Sequence, residues 1–375
     1  MRGKLQRRVW VEVNLKSLRR NYLRIANAVK PAKVLCVLKA NAYGLGVEPY
    51  AAALAGTDCV GFGVAEPHEA LQLLSFGKPV QVLSSILPDE ILPMVEAGVT
   101  LPVTDFAAAK LIDSAAKKLK RKATVHFKID TGMGRLGILA SDAVKTIRRT
   151  VALKNLDCEG IFSHCPTAYD PADEFANDQI ALFRSILDEV AKDGIKFRKV
   201  HIAASDAINN FEAAKRPPFN IVRTGINLHG SFDPNGRRAL KLESVLTLKT
   251  RVAQVRTLPA GTTLGYGRTW CLSKPTRVAT ISAGYADGLP LALTNRGHVL
   301  INGAPCPVIG RISMDYTTVD VSKAGEVNPG DEVTALGGSG KYAVTPDDWA
   351  ALKGTHAYDI ICSFGNRVER VYVNR

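Results

Sequence analysis

The chain has 375 residues, of which 46% are hydrophobic and 22% charged, and its 49 basic and 35 acidic residues give a formal net charge of +14. This composition excludes a disordered or fibrous protein, and the length favours two domains or a large barrel with a smaller partner. No apolar run reaches the ~18–20 residues of a membrane-spanning helix.

The positive charge is not arranged like a nucleic-acid-binding surface. Two basic clusters stand out, one with Arg2, Lys4, Arg7 and Arg8 and one with Lys117, Lys118, Lys120, Arg121 and Lys122. The second cluster follows a predicted helix from Thr104 to about Lys118, and cations are favoured at a helix C-terminus. Neither cluster is interleaved with the aromatic residues of a single-strand binder. We therefore expect no nucleic-acid function and no membrane partner.

The N-terminal segment is basic but lacks the apolar stretch of ~7–15 residues that a signal peptide needs, so we expect a cytoplasmic protein. The seven cysteines are scattered and contain no C-x-x-C pair. This distribution is typical of reduced thiols rather than of a disulfide or zinc framework, and we expect no metal site.

Eight short apolar runs alternate with helical segments between residues 16 and 240. The runs lie at 33–39, 60–64, 80–84, 99–103, 123–130, 156–163, 199–203 and 220–224. Helices are predicted at 15–29, from apolar residues near a 3.6 period, and at 88–98, from Pro88 at the start and Gly98 past the end. Alternation of strands and helices favours a parallel sheet. Eight units predict an α/β fold with a (β/α)₈ barrel over residues 1–240.

The pattern changes after residue 240, where strand-like segments are separated by Gly, Pro and Asn. The segment 301–303 (ING) predicts a tight hairpin. Only residues 345–353 predict a clear helix, with Thr345 as its cap and Pro346 at its first position. We therefore predict a mostly β domain over residues 241–375.

Functional side chains of such barrels lie at the carboxyl ends of the strands. At those positions this chain has Lys39, Arg135, His164, Ser205 and Arg223, which together predict an anion-binding mouth with one amine. Apolar neighbours of Lys39 should desolvate it, which lowers the pKa of an amine and makes it a nucleophile. Ser205, with the backbone N–H groups of Gly225 and Ile226, is suited to bind a phosphate.

A glycine pattern at 132–137, with Asp157 about twenty residues further on, is similar to a dinucleotide-binding fingerprint. The helix it should open is expected only near Ser141, and the pattern falls in the fifth βα unit rather than in the first. We therefore reject a dinucleotide site.

Eight segments occur in order along nearly the whole chain: VLKANAYGLG (37–46), KIDTGMGRLG (128–137), FSH (162–164), RTGI (223–226), LGYGR (264–268), GYADGLP (284–290), GRISMD (310–315) and AYDI (357–360). Their combination resembles bacterial alanine racemase, a family of pyridoxal-phosphate enzymes built from a barrel and a C-terminal β domain. The resemblance implies interconversion of L- and D-alanine, with D-alanine supplied for peptidoglycan.

The resemblance also assigns the bases. Lys39 would hold pyridoxal 5′-phosphate covalently and act as the base on one face of the substrate α-carbon. Tyr266, from the β domain of the other subunit, would be the base on the opposite face. Racemisation needs two such bases, since one removes the proton and the other returns it from the far side. A homodimer with shared active sites is therefore implied.

Other roles follow from the same resemblance. Arg223 would face the pyridine nitrogen, and His164 would belong to the same network. Arg135, helped by the Met314 backbone of the other subunit, would bind the substrate carboxylate, and Lys128 matches a carbamylated position that steadies this arginine. The implied phosphate contacts are Tyr43, Ser205, Gly225, Ile226 and Tyr358, and the implied entrance residues are Tyr285 and Arg311.

Two positions depart from the family pattern. Leu291 stands where the family usually has an arginine, and Tyr169 where it often has an aspartate. Because these two charges can pair at the entrance, the substrate range is open, and a serine or broad-specificity racemase is the nearest alternative. A non-catalytic pyridoxal-phosphate-binding barrel is a second, although such proteins typically lack the β domain. A decarboxylase is a third, but no acidic pair for a distal amine is evident.

Overall fold

The structure is a computed structural model that describes residues 6–374. Arg2 and Lys4 of the first basic cluster lie outside the described residues. Of that cluster, Arg7 pairs with Glu369 at 2.6 Å. Within residues 6–374, no helix is both long enough and apolar enough to cross a membrane.

The chain first contributes a strand to the second domain and only then enters the barrel. Strand β1 (Val9–Asn14) pairs in parallel with the last strand of the chain and antiparallel with the first strand after residue 240. Its fully buried Val11 and Val13 alternate with polar residues, the pattern of a strand with one face on a core. Helix α1 (Leu15–Ala28) follows directly, and the Asn14 side chain caps it by accepting from the Ser17 N–H at 3.0 Å.

The barrel is closed by eight parallel strands. They are β2 (Lys33–Val37), β3 (Gly61–Val64), β4 (Val80–Val82), β5 (Leu101–Val103), β6 (Ala123–Asp130), β8 (Leu156–Phe162), β9 (Lys199–His201) and β10 (Ile221–Thr224), with the two-residue β7 (Ile138–Leu139) beside β6. The orders are β10-β2-β3-β4 and β5-β6-β8-β9. Backbone hydrogen bonds of 3.0 Å, from Val82 to Thr100 and from Asn220 to Val200, close the two seams. The predicted (β/α)₈ barrel is confirmed.

The helical segments surround these strands. They are α2 (Lys39–Tyr43), α3 (Val47–Ala55), α4 (Pro67–Leu73), α5 (Pro88–Glu96), α6 (Phe106–Lys118), α7 (Ala140–Val151), α8 (Phe175–Ala191) and α9 (Ser205–Asn210). Asp105 caps α6 by accepting from the Ala108 N–H at 2.7 Å. Lys117 and Lys118 occupy the last turn of α6, so the second basic cluster is a helix end, as predicted.

The second domain is mostly β, as predicted. Its strands are β11 (Leu246–Leu258), β12 (Thr263–Leu264), β13 (Trp270–Cys271), β14 (Thr276–Ile281), β15 (His298–Ile301), β16 (Ala304–Pro307), β17 (Thr317–Asp320), β18 (Glu332–Leu336) and β19 (Glu369–Val373). The main sheet runs β16-β15-β18-β11-β1-β19, and β14 pairs with both β11 and β17. Asn302 and Gly303, with φ of +53° and +75°, form the predicted hairpin turn between β15 and β16.

Two helices complete this domain. Helix α10 (Pro346–Lys353) was predicted, whereas α11 (Ala357–Cys362) was not. Helix α11 packs against α2 of the barrel, so it brings a segment of the second domain to the barrel mouth.

Removing the cap of α10 should cost stability. The Thr345 hydroxyl accepts from the Asp348 N–H at 3.1 Å, and the Asp348 carboxylate accepts from the Thr345 N–H at 2.7 Å. Thr345→Ala should therefore lower the free energy of unfolding by about 1 kcal/mol, measured by urea unfolding. Thr345→Ser, which keeps the hydroxyl, is the control; equal losses in both variants would contradict the prediction.

Candidate active site

Lys39 lies at the mouth of the barrel, at the start of an unusual turn. The four residues from Ala40 to Tyr43 have φ between +51° and +59°, so α2 is a left-handed turn without glycine. Each such residue costs roughly 1–2 kcal/mol, which tertiary contacts must offset. The buried Glu69 carboxylate accepts from the Ala40 N–H, and the Asn41 side chain accepts from the Val47 N–H at 2.8 Å. Glu69 is not among the residues predicted from the sequence.

Two amines share this mouth. Lys39 is exposed, but partial desolvation of its amine by the surrounding protein and the positive charge of Arg135 lower its pKa. Lys128 is buried on β6 and donates to the Leu83 carbonyl oxygen at 2.7 Å. Burial, with the positive charges of Arg135 and Arg223, lowers the pKa of Lys128 to about 8. Both amines are therefore uncharged more often than surface lysines are.

Arg223 is a buried cation on β10. Its guanidinium donates to the carbonyl oxygens of Ser163 and Ile202, at 2.7 and 3.0 Å, and to His201 Nδ1 at 2.7 Å. Burial lowers its pKa to about 10, which leaves it charged at neutral pH. His164 Nδ1 lies 3.4 Å from the same guanidinium, and burial together with this charge lowers the pKa of His164 to about 3. His164 is therefore neutral.

A cradle of polar groups lies between the barrel and α11. The Tyr43 and Tyr358 rings lie 5.9 Å apart, and the Gly225 N–H donates to the Ser205 hydroxyl at 3.1 Å. A Cβ at Gly225 would lie 1.9 Å from the Tyr43 hydroxyl, so any other residue there would displace this hydroxyl. Ile226 is buried and begins the short turn 226–229. The structure thus brings together the residues implied to contact a phosphate.

The glycine-rich segment after β6 folds around a carboxylate. The N–H groups of Gly132 and Gly134 donate to Asp130 at 2.9 and 3.1 Å. Burial disfavours ionisation of Asp130, but these hydrogen bonds keep its pKa below the ordinary value. Helix α7 begins only at Ala140, close to the predicted start. The segment therefore positions the loop that carries Arg135.

Apart from Tyr358, the implied residues of the second domain form a separate, exposed group. Tyr266 is 73% exposed and Met314 53%, and Tyr285 is also exposed. Tyr266 and Arg311 line a pocket of about 360 Å³. Within residues 6–374, the Tyr266 side chain forms no hydrogen bond. Within a single chain, Tyr266 therefore lies outside the hydrogen-bonded cluster around Arg223.

A salt-bridged arginine that was not predicted from the sequence supports this exposed group. Arg367 donates to the buried Asp287 at 2.7 and 3.0 Å and to Asp315 at 2.7 Å. These carboxylates belong to the loops that carry Tyr285 and Met314. Hydrogen bonds with Asp287 and Asp315 raise the pKa of Arg367 above its ordinary value.

Known proteins resemble this chain along its whole length. The family profile described as alanine racemase, N-terminal domain, matches residues 13–233, and that described as alanine racemase, C-terminal domain, matches residues 245–372. An alanine racemase of Carboxydothermus hydrogenoformans is 37% identical over 98% of this chain and 100% of the relative.

Solved structures show the same similarity. The alanine racemase of Streptomyces lavendulae has a TM-score of 0.91 at 31% identity, with 99% of this chain and 98% of that chain covered. The alanine racemase of Bartonella henselae with covalently bound pyridoxal phosphate has a TM-score of 0.87 at 28% identity, with 98% and 100% covered.

Proposed function

This chain belongs to the alanine racemase family, and we propose that it is a pyridoxal-phosphate-dependent enzyme that interconverts L- and D-alanine. The observation that carries the proposal is the cluster at the barrel mouth, where an amine with a lowered pKa, a buried guanidinium and a polar cradle closed by glycine meet.

The cluster fits the cofactor. Lys39 would bind the aldehyde of pyridoxal phosphate, and the buried Arg223 guanidinium would donate to its ring nitrogen. The phosphate would be held by the hydroxyls and N–H groups of Tyr43, Ser205, Gly225, Ile226 and Tyr358. When bound, pyridoxal phosphate acidifies the Cα–H bond of the amino acid that it carries. An arginine cannot readily hand a proton to the ring, which keeps electron withdrawal weaker than an acidic residue would.

Two bases would complete the reaction. Lys39, with its lowered pKa, is suited to move a proton on one face of Cα. Tyr266 of the partner subunit would act on the opposite face, since the exposed Tyr266 is not part of its own chain's cluster. The neutral His164 and the charged Arg223 would form the network beside this phenol.

A homodimer is therefore part of the proposal. Tyr266, Tyr285, Leu291, Met314 and Tyr316 are large, exposed side chains on one domain. Exposed apolar and aromatic patches of this kind are typical of protein–protein interaction sites.

The substrate carboxylate would bind Arg135 and the Met314 backbone of the partner subunit. Lys128 lies in the same cationic group, and its pKa of about 8 provides uncharged amine that can react with carbon dioxide. Carbamylation would convert this cation to an anion, which would pair with Arg135 and hold it in place.

Tyr285 and Arg311 would line the entrance with Leu291 and Tyr169. Leu291 and Tyr169 are exposed, and neither is the arginine or aspartate that the family pattern has at its position. This observation favours a broader substrate range, with serine as the second candidate substrate.

Deuterium exchange tests the proposal. The purified enzyme should incorporate deuterium from D₂O at Cα of L-alanine and form D-alanine. Exchange on serine at a similar kcat/KM would favour the broad-specificity alternative, whereas bound cofactor without exchange on any amino acid would favour a non-catalytic binding protein.

Filling the cradle should weaken cofactor binding. In Gly225→Ala the new methyl would displace the Tyr43 hydroxyl, so the Kd for pyridoxal phosphate should rise about tenfold, the cost of one lost hydrogen bond to a charged group. Absorbance titration of the cofactor-free protein measures this Kd. Gly56→Ala, whose Cβ would meet no atom within 4 Å, is the control; equal Kd values in both variants would place the phosphate elsewhere.

In the cell, we propose that the enzyme acts in the cytoplasm and supplies D-alanine for peptidoglycan. D-alanine auxotrophy after gene deletion, relieved by added D-alanine, would support this role. Growth of the deletion strain without D-alanine would contradict it, provided that no second racemase is present.

A further inference from the structure

A chain of polar side chains crosses the barrel interior below Arg223. Arg223 NH1 lies 2.7 Å from His201 Nδ1, His201 Nε2 lies 3.2 Å from His126 Nδ1, and His126 Nε2 lies 3.0 Å from Glu159 Oε2. Lys199, at the start of β9, pairs with Glu159 at 3.0 Å. These four side chains, Arg223, His201, His126 and Glu159, form a relay that runs from the barrel mouth to the amino-terminal half of the strands.

Two local features of β8 serve this relay. The pairing of β6 with β8 shifts after Val125, so that Glu159 is an extra residue in a β-bulge, and bulges redirect side chains. The next residue is Gly160, where a Cβ would lie 2.6 Å from the His126 ring. His126 can occupy its position only because residue 160 has no side chain.

With a guanidinium at one end and a carboxylate at the other, the donors and acceptors can be ordered in only one direction. A guanidinium only donates, so His201 Nδ1 must accept, and the His201 proton lies on Nε2. That proton points to His126 Nδ1, which must accept in turn, and the His126 proton on Nε2 points to the Glu159 carboxylate. Gln81 Nε2, 3.0 Å from His126 Nδ1, donates to the same acceptor.

Among the four side chains of the relay, only those at its two ends, Glu159 and Arg223, are charged. The hydrogen bond from His126 lowers the pKa of Glu159 to about 2, so Glu159 stays ionised. Burial lowers the pKa values of both His126 and His201, so the imidazoles between Glu159 and Arg223 stay neutral. Chains of aligned hydrogen bonds polarise one another, so the anion at one end favours donation by the cation at the other.

We propose that Glu159 and His126 are positioning residues of the proposed reaction, which act through His201 to hold Arg223 as a hydrogen-bond donor toward the cofactor ring. This inference rests on the proposed function, because it assigns Arg223 to that ring. Burying the side chains of Arg223, His201 and His126 costs free energy unless all three are paired, and the relay pairs each one.

Removing the charge of Glu159 removes the acceptor that favours a proton on Nε2 of His126. The amide of Glu159→Gln can present either its oxygen or its NH₂ to His126 Nε2, and in the second arrangement both imidazole tautomers are reversed. His201 would then point an N–H at the guanidinium of Arg223, and two donors would face each other. Lys199→Met is the matched control, because it removes the solvent-side partner of Glu159 and leaves the relay intact.

The first test measures the tautomers directly. In the full-length protein labelled with ¹⁵N-histidine, both His126 and His201 should have unprotonated Nδ1 and protonated Nε2, with assignment from single His→Gln variants. Glu159→Gln should shift both resonances toward the other tautomer, and Lys199→Met should not. A wild-type protein with Nδ1–H on His201 would overturn the proposal, whether or not the protein is a racemase.

The second test uses the enzyme with its cofactor. Glu159→Gln should lower kcat about tenfold, because mutating a residue that orients a functional side chain typically costs this much activity. The KM for alanine should stay within about twofold of wild type. Gly160→Ala, which displaces the His126 ring without touching Glu159 or Arg223, should lower kcat similarly and change the bound-cofactor absorbance. Equal kcat in Glu159→Gln, Lys199→Met and wild type would overturn the proposal, as would a loss that follows thermal stability with an unchanged absorbance. Absence of racemisation in wild type, with the expected tautomers, would refute only the proposed function.

Discussion

A mixture of Lys39→Ala chains and Tyr266→Phe chains should recover about a quarter of wild-type racemase activity, because the active sites of the proposed dimer combine residues of two subunits. Each variant alone should lose roughly 10²–10⁴-fold in kcat, since each lacks one of the two proton-transfer groups. The structure motivates this expectation, because Tyr266 is 73% exposed and lies outside the cluster of its own chain.

The expected quarter follows from counting sites. In a heterodimer, the site with both substitutions is inactive, whereas the other site combines an intact Lys39 with an intact Tyr266 of the partner subunit. Random exchange of equal amounts makes about half of the dimers heterodimers, each with one working site of two. Co-expression with two affinity tags isolates these heterodimers, whose activity should be about half that of wild type per dimer.

The control is a mixture of two kinds of chain in which no active site can be restored. Lys39→Ala chains mixed with chains carrying both Lys39→Ala and Tyr266→Phe should recover nothing, because no intact Lys39 remains. If the two single variants form heterodimers and these stay inactive, the sharing of active sites is wrong. Activity of the Tyr266→Phe variant close to wild type would instead remove Tyr266 from the reaction.

The barrel could be predicted from the sequence because its strands are buried on both faces. Such strands form short apolar runs, and the eight runs coincide with the eight strands. The hairpin at Asn302 and Gly303 could be predicted because both residues favour positive φ. The candidate site residues followed from the ends of these strands and from the resemblance.

Other features depend on partners that are distant in sequence. The segment KANAY has no glycine and contains good helix formers, so nothing local predicts the left-handed turn after Lys39. That turn is held by Glu69 on α4, 29 residues after Ala40. Similarly, β1 is positioned by its pairing with β19 at the other end of the chain. Helix α11 has only six residues, too few for an amphipathic pattern to be recognised.

The residues of the relay could not be predicted from the sequence for a further reason. His201 and Glu159 lie within predicted strands, but the direction of the Glu159 side chain depends on a bulge in β8. A one-residue shift in a strand reverses which face each side chain occupies. Alternation alone therefore cannot show that Glu159 and His126 meet inside the barrel.

Arg367→Met should lower kcat/KM for alanine about 100-fold, mainly through a higher KM, because a misplacement of about 1 Å in a positioning contact has effects of that size. Arg367 connects the two loops that would present Tyr285 and Met314 to the partner subunit. It donates to both oxygens of Asp287, at 2.7 and 3.0 Å, and to Asp315 at 2.7 Å. In its absence, the buried Asp287 carboxylate would keep only the Gly284 N–H, at 3.0 Å, among the hydrogen bonds described here.

The loops are also joined through their backbones, so Arg367→Met should shift them without unfolding the domain. The Ala286 N–H donates to the Met314 carbonyl oxygen at 3.1 Å, and this bond remains in the variant. Arg148→Met is the matched control, because Arg148 pairs with Asp193 at 2.7 Å on an exposed surface, where ion pairs contribute little. Steady-state kinetics should show an unchanged KM in this control and partial recovery in Arg367→Lys, which restores one donor. A loss confined to kcat in Arg367→Met would contradict a role in substrate binding, since the loops of the partner subunit would then act on the chemical step alone.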